Sequence, residues 1–84
     1  MKKPYALDFD GVIRKRGVRA APLGPITDGL ECVEVLLARG DHVVVYTSRS
    51  REIVAEWLRT NGFPPLRIAS THAGCLYISE LAPK

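Results

Sequence analysis

A small α/β domain, with a parallel sheet of three or four strands and two main helices in a three-layer, Rossmann-like arrangement, is what this sequence predicts. Three observations carry that prediction. Tyr5-Ala6-Leu7-Asp8-Phe9-Asp10-Gly11 is an apolar run that delivers two carboxylates onto a glycine. Val43-Val44-Val45-Tyr46 is a continuous β-branched run of the kind found in strands covered on both faces. Between them lies a stretch with helical spacing, so the order is strand, helical crossover, strand, which is a right-handed βαβ unit. That geometry puts the C-terminal ends of both strands on one edge, where open parallel sheets bind ligands.

Taken in order, residues 4–9 form the first strand, and Gly11 breaks it. Val12-Ile13 followed by Arg14-Lys15-Arg16-Gly17-Val18-Arg19 predicts a small hairpin with Arg16-Gly17 near its turn. Residues 20–25, with Pro22, Gly24 and Pro25, make an irregular approach to a helix over residues 27–39. Thr27 or Asp28 caps that helix, and Asp28-x-x-Glu31 has the spacing of a capping pair. Leu30, Val33, Leu36 and Leu37 recur at helical spacing, and Gly40 ends the run.

The second strand stops at Thr47-Ser48-Arg49, with Ser48 and Ser50 as candidate caps for the next helix. That helix spans about residues 50–60 with Ile53, Val54, Trp57 and Leu58 on one face, Trp57 as core, and Asn61-Gly62 as its stop. Phe63-Pro64-Pro65 is a rigid connector. Residues 66–69 and 75–78 are the remaining strands. Only 70–74 separates them, whereas parallel neighbours need a crossover of about a dozen residues. Either 66–69 is barely a strand, or the chain returns without a helix. An exposed sheet edge is then expected, and self-association into a homo-oligomer would cover it.

The chain of 84 residues is expected to be one domain, 1–84, and 46% hydrophobic with 25% charged residues is a globular composition rather than a disordered one. No apolar run is long enough for a membrane span, and the apolar stretch behind Met1-Lys2-Lys3-Pro4 ends at Asp8, too soon for a signal peptide, so a cytoplasmic location is expected. Cys32 and Cys75 have no metal spacing and no CxxC, which predicts buried, reduced thiols. The net charge of +3 is uneven, with Arg14, Lys15, Arg16 and Arg19 clustered just after the aspartates. A basic patch there attracts a phosphorylated or nucleic-acid partner, or is a solvated loop tip.

Two carboxylates one residue apart at a strand end repel each other, and a cation, a shared proton or a raised pKa relieves the repulsion. Apolar residues leading into Asp8-Phe9-Asp10-Gly11 resemble the first motif of the haloacid dehalogenase-like superfamily of phosphotransferases. The resemblance implies that Asp8 is a nucleophile that becomes aspartyl-phosphate and that Asp10 is a general acid/base. Val43 to Arg49 resembles the second motif, which makes Thr47 the hydroxyl that hydrogen-bonds the phosphoryl group, with Ser48 beside it.

The later motifs depart from the family pattern. The third should supply a lysine or arginine, and the segment Ala69 to Gly74 offers only His72 in that place. The fourth should supply an acid pair for magnesium. Here Tyr77-Ile78-Ser79-Glu80 puts Ser79 at the first acid and leaves Glu80 as the sole carboxylate, so the implied Mg²⁺ ligands are Asp8, Asp10 and Glu80. Arg14, Lys15, Arg16 and Arg49 are candidate substrate contacts. No interval is long enough for a cap domain, so the likeness is to the capless type, whose open site suits macromolecular or extended phosphorylated substrates. The reading is a magnesium-dependent phosphohydrolase. Its alternatives are a catalytically inactive domain of the same fold that binds a partner or phosphorylated ligand, and a receiver-like phosphoacceptor.

Overall fold

The structure, a computed structural model, describes residues 3–17, 19–20 and 23–82; Val18 of the expected hairpin and Pro22 of the expected irregular approach lie outside that range. The elements run β1 (Tyr5–Asp8), a π-helical turn (Phe9–Ile13), α1 (Gly29–Ala38), β2 (Val43–Tyr46), α2 (Arg51–Thr60), β3 (Arg67–Ala69) and β4 (Leu76–Ile78). The four strands form one parallel sheet in the order β3-β2-β1-β4. The fold is thus a small α/β structure, and β1 with its aspartates lies inside the sheet.

Strand alternation sorts the residues onto two faces. Tyr5, Leu7, Val43, Val45 and Ile78 join Cys32, Val33 and Leu36 of α1 and Val54 and Leu58 of α2 in one hydrophobic core. Both α-helices therefore cover the same face. The reason is topological: β1 to β2 to β3 steps across the sheet in one direction, and right-handed crossovers in one direction put their helices on one side. Among the described residues no helix forms the expected third layer. On the opposite face Ala6, in register between Val44 and Tyr77, is fully buried, and the cover comes from the β3–β4 link instead of a helix. His72 in that link stacks on Tyr77 at 4.1 Å and meets Tyr46 edge-on at 5.0 Å. The short link is possible because β3 and β4 are not neighbours but the two edges of the sheet, and the chain crosses the open face between them.

The expected hairpin is replaced by two other features. Phe9–Ile13 winds into one π-helical turn, closed by Arg14 N–H donating to the Phe9 carbonyl at 3.0 Å. Residues 14–17 then pair outward, with Gly17 N–H on the Thr27 carbonyl and Arg16 bridged to Asp28. Apolar Val12 and Ile13 look like strand residues, but they are buried under the turn as core.

Of the two candidate caps of α1, Asp28 is the one used. Asp28 accepts from Glu31 N–H at 2.9 Å, while the Glu31 carboxylate reaches back to the N–H and hydroxyl of Thr27. In α2 the buried stripe is narrower than expected. Val54 and Leu58 are buried and Trp57 is half-buried, but Ile53 is 66% exposed. The helix lies against the β3 edge, and a four-strand sheet ends before it reaches that flank. Trp57 packs edge-on against Phe9 at 5.3 Å and against Phe63, so it braces the π-turn from below.

Neither cysteine is in a disulfide, and Cys75 is half-buried just ahead of β4 rather than in it. Cys32 is enclosed, and burial pushes its thiol up to about 11 from an ordinary value of 9.0. An acid whose folded pKa is raised stabilises the fold below its unfolded pKa and loses that contribution as pH rises through the folded one. Denaturant unfolding between pH 8 and pH 11 should therefore show a loss of about 3 kcal/mol, at about 1.4 kcal/mol per pH unit. In Cys32→Ala this component should vanish. An unchanged alkaline profile in that variant would assign the loss to other groups.

Candidate active site

The β1–β2 register pairs Asp8 with Tyr46, so Asp8 and the first residue past β2, Thr47, both stand on the C-terminal rim. Asp8 occupies the N-terminal position of the π-turn and Asp10 lies within its first residues. π-turns are rare and recur at functional sites because they re-aim side chains that a regular strand or helix would misdirect. Phe9, Gly11, Val12 and Ile13 are buried while Asp10 projects into solvent.

The two carboxylates are in opposite electrostatic situations. Burial raises the Asp8 pKa, and the charge of Asp10 raises it further. The backbone N–H groups of Asp10 and Gly11 and the Lys15 ammonium oppose the rise, without an Asp8 side-chain cap of good geometry. Asp10 is instead held below the usual carboxylate range, first by its hydrogen bonds from Arg49 and also by Arg14. Arg49 Nε donates to both carboxylate oxygens at 3.2 and 3.1 Å, and its terminal nitrogen lies 3.0 Å from Oδ1. Arg14 reaches the same oxygen at 3.1 Å and also lies over the Phe9 ring.

Thr47 is buried, and its hydroxyl oxygen accepts from Arg49 N–H at 3.0 Å. This contact shapes the turn after β2 and aims Arg49 back at Asp10. Ser48 is exposed beside it, and the Ser50 hydroxyl donates to Glu52 rather than capping α2. Arg16, whose backbone pairs with Asp28 ahead of α1, lines one groove with Arg14 and Lys15.

The last two expected motifs come out differently. His72 is exposed and stacked on Tyr77, so its ring is an aromatic cover of the open face. The positive charge acting on Asp8 comes from Lys15. Tyr77 was not among the expected site residues, yet the Asp8 charge helps to raise its phenol pKa, after burial. Its strand parity with Ala6, two residues before Asp8, is the sequence signal that identifies it.

Glu80 does not complete a metal site. Among the described residues, no group of three or more His, Cys, Asp or Glu side chains could hold a metal ion. The physical reason is parity: Tyr77 and Ser79 follow the Asp8 face of the sheet, and Glu80 is one residue out of phase. Ser79 is the residue beside Asp8, since its carbonyl oxygen and Asp8 Oδ2 lie 2.0 and 2.8 Å from one point, the ideal Cβ of Gly11. Magnesium takes near-octahedral oxygen ligation, and the three carboxylates that the resemblance names do not come together to supply it.

The rim is open. One groove of about 430 Å³ lies elsewhere, at the N-terminal rim among Pro4, His42, Val43 and Leu66, and one of about 320 Å³ lies between α2 and β3. Among the described residues no helix is long and apolar enough to cross a membrane. No family model, no curated protein and no solved structure matches the chain.

Proposed function

We propose that this protein hydrolyses phosphate monoesters through an aspartyl-phosphate, in the manner of the haloacid dehalogenase-like superfamily that its first two motifs resemble. The observation that carries this reading is that the segment after β2 meets the aspartate turn on one sheet rim: Thr47 follows the strand position level with Asp8, and Arg49, whose backbone N–H Thr47 accepts, is ion-paired to Asp10. Arg14 and Arg49 are half-exposed, and ion pairs of that kind are worth roughly 0–1 kcal/mol each. A phosphate dianion can therefore take these cations from Asp10, and the same guanidinium fork suits either anion.

Once released, Asp10 faces Asp8 and the phosphoryl group, and its carboxyl rises toward the range in which it can hold a proton. An Asp8 oxygen attacks phosphorus, the ester P–O bond breaks, and the leaving alkoxide takes the Asp10 proton. Water then attacks the phosphoryl phosphorus, Asp10 takes the water proton, and phosphate leaves Asp8 as a carboxylate. The open rim admits a phosphate on a macromolecule, nucleic acid included.

Acid quenching after mixing with a radiolabelled phosphoryl donor is the test. With a donor whose leaving group needs no proton, label should stay on the wild-type protein, be absent from Asp8→Asn, and accumulate in Asp10→Asn, whose second step lacks its base. No label and no phosphate release from any of the three would remove the catalytic claim. One observation favours a silent, ligand-binding domain: two arginines hold Asp10 ionised, a state in which it cannot protonate a leaving group. That alternative gives binding of a phosphorylated ligand that Arg14→Ala weakens, with no turnover.

A further inference from the structure

Two features of the rim point the same way. The first is charge. Asp8 and Asp10 contribute two negative charges, whereas Arg49 and Arg14 on Asp10 and Lys15 acting on Asp8 contribute three positive ones. A divalent cation approaching this rim meets a surplus of positive charge. To reach Asp10 it would also have to displace a bidentate guanidinium that Thr47 helps to aim. The second is ligation. The carboxylates Asp8, Asp10 and Glu80 do not converge, and the residue packed beside Asp8 is Ser79, which brings no charge.

Both features suit an anion. With its two negative charges, a phosphate monoester changes the local count from one net positive to one net negative. Guanidinium and ammonium groups on an open surface exchange one oxyanion for another at little cost. Arg49 comes from the end of β2 and Arg14 and Lys15 from the π-turn's exit, so the cations approach the two carboxylates from different segments.

We propose that this rim binds the phosphoryl group of a monoester through Arg49, Arg14 and Lys15 alone, with Arg49 where a divalent cation would sit, so that ligand binding needs no metal ion. This inference rests on the phosphoryl reading of the rim and departs from the magnesium requirement that the family resemblance implies. The chain's own sequence states the exchange. Where the resemblance calls for an acid and for a lysine or arginine that neutralises phosphate charge, it has Ser79 and His72, and it places its cations after Asp10 and after Thr47.

The test uses amide NMR of the intact chain with two probes, Mn²⁺ as a paramagnetic cation and inorganic phosphate as the anion. In wild type, phosphate should shift residues 8–11 and 47–49 equally in EDTA and in millimolar Mg²⁺, and Mn²⁺ should not broaden residues 8–11 above other exposed acidic positions. Arg49→Ala should weaken phosphate binding on the order of tenfold or more, the effect of losing one charge-assisted contact, and Arg49→Lys should recover part of it. Ser79→Asp combined with Arg49→Ala should create selective Mn²⁺ broadening at residues 8–11 and 79, because it restores an acid where a cation has been removed.

Selective Mn²⁺ broadening in wild type, or phosphate shifts that vanish in EDTA and return with Mg²⁺, would overturn the inference while leaving the phosphoryl reading intact. Absence of phosphate shifts under both conditions would overturn the phosphoryl reading, and this inference with it.

Discussion

Replacing Gly11 by alanine is expected to remove a large part of the protein's stability. A Cβ at this position would lie 2.0 Å from the Ser79 carbonyl oxygen and 2.8 Å from Asp8 Oδ2, and the first of these is backbone that cannot rotate away. The Gly11 carbonyl also accepts from Leu81 N–H, and Leu81 is buried, so shifting the π-turn tears the C-terminal segment from it. Overpacking of a rigid site costs about 3 kcal/mol or more. A chain of this length has a total stability of about 4–13 kcal/mol at typical per-residue values. Circular dichroism melting should show a fall of more than ten degrees or no cooperative transition. A melting point within a degree of wild type would mean that residues 79–82 do not pack on the turn.

Asp8→Asn should do the opposite to stability while removing activity. Phosphate release should fall on the order of 10³-fold or more, since the amide is not a nucleophile and no neighbouring group can replace it. The folded protein should melt no lower than wild type at neutral pH. Its folded pKa is raised, so the ionised Asp8 opposes folding above that pKa and stability is highest below the unfolded value. The neutral amide removes both the burial cost and the repulsion from Asp10. A variant that loses activity together with many degrees of melting temperature would show that Asp8 is a structural residue.

Much of this arrangement was legible in the sequence because it depends on local chemistry. The β-branched run Val43–Tyr46 is a strand whatever surrounds it, and the Asp28–Glu31 pair marks a helix start through its own hydrogen bond. Parallel register then follows from the crossover, which is why Asp8 and Thr47 could be put on one rim. The failures are non-local. Val12 and Ile13 have strand composition, and only the i+5 bond from Arg14 to Phe9 reveals a π-turn, which no side-chain period announces. Ile53 belongs to the apolar arc of α2, but the sheet's width decides whether it is covered. Arg49 and Asp10 are 39 residues apart, so their ion pair depends on how the turn after β2 closes on Thr47. That Glu80 does not join Asp8 and Asp10 is a question of phase just past the end of β4, which a single extra residue reverses.

The aromatic link across the open face sets a length limit on the whole fold. Its start, Ala69, is level with Asp8, and its end, Leu76, is level with Tyr5 on the far side of the sheet. Crossing three strand spacings and descending three residues takes about 18 Å, against a fully stretched reach of about 23 Å for seven steps. The small turn in which Cys75 N–H donates to the His72 carbonyl already consumes slack. Deleting two residues between Ala69 and Leu76 would leave a tether too short to span, and β4 would be peeled from β1 together with the Ser79 carbonyl that packs against Gly11. Inserting residues has no such ceiling: a helix-length insert at this point would add a roof over that face while the aspartate rim kept its shape, as limited proteolysis and amide exchange at β4 would report.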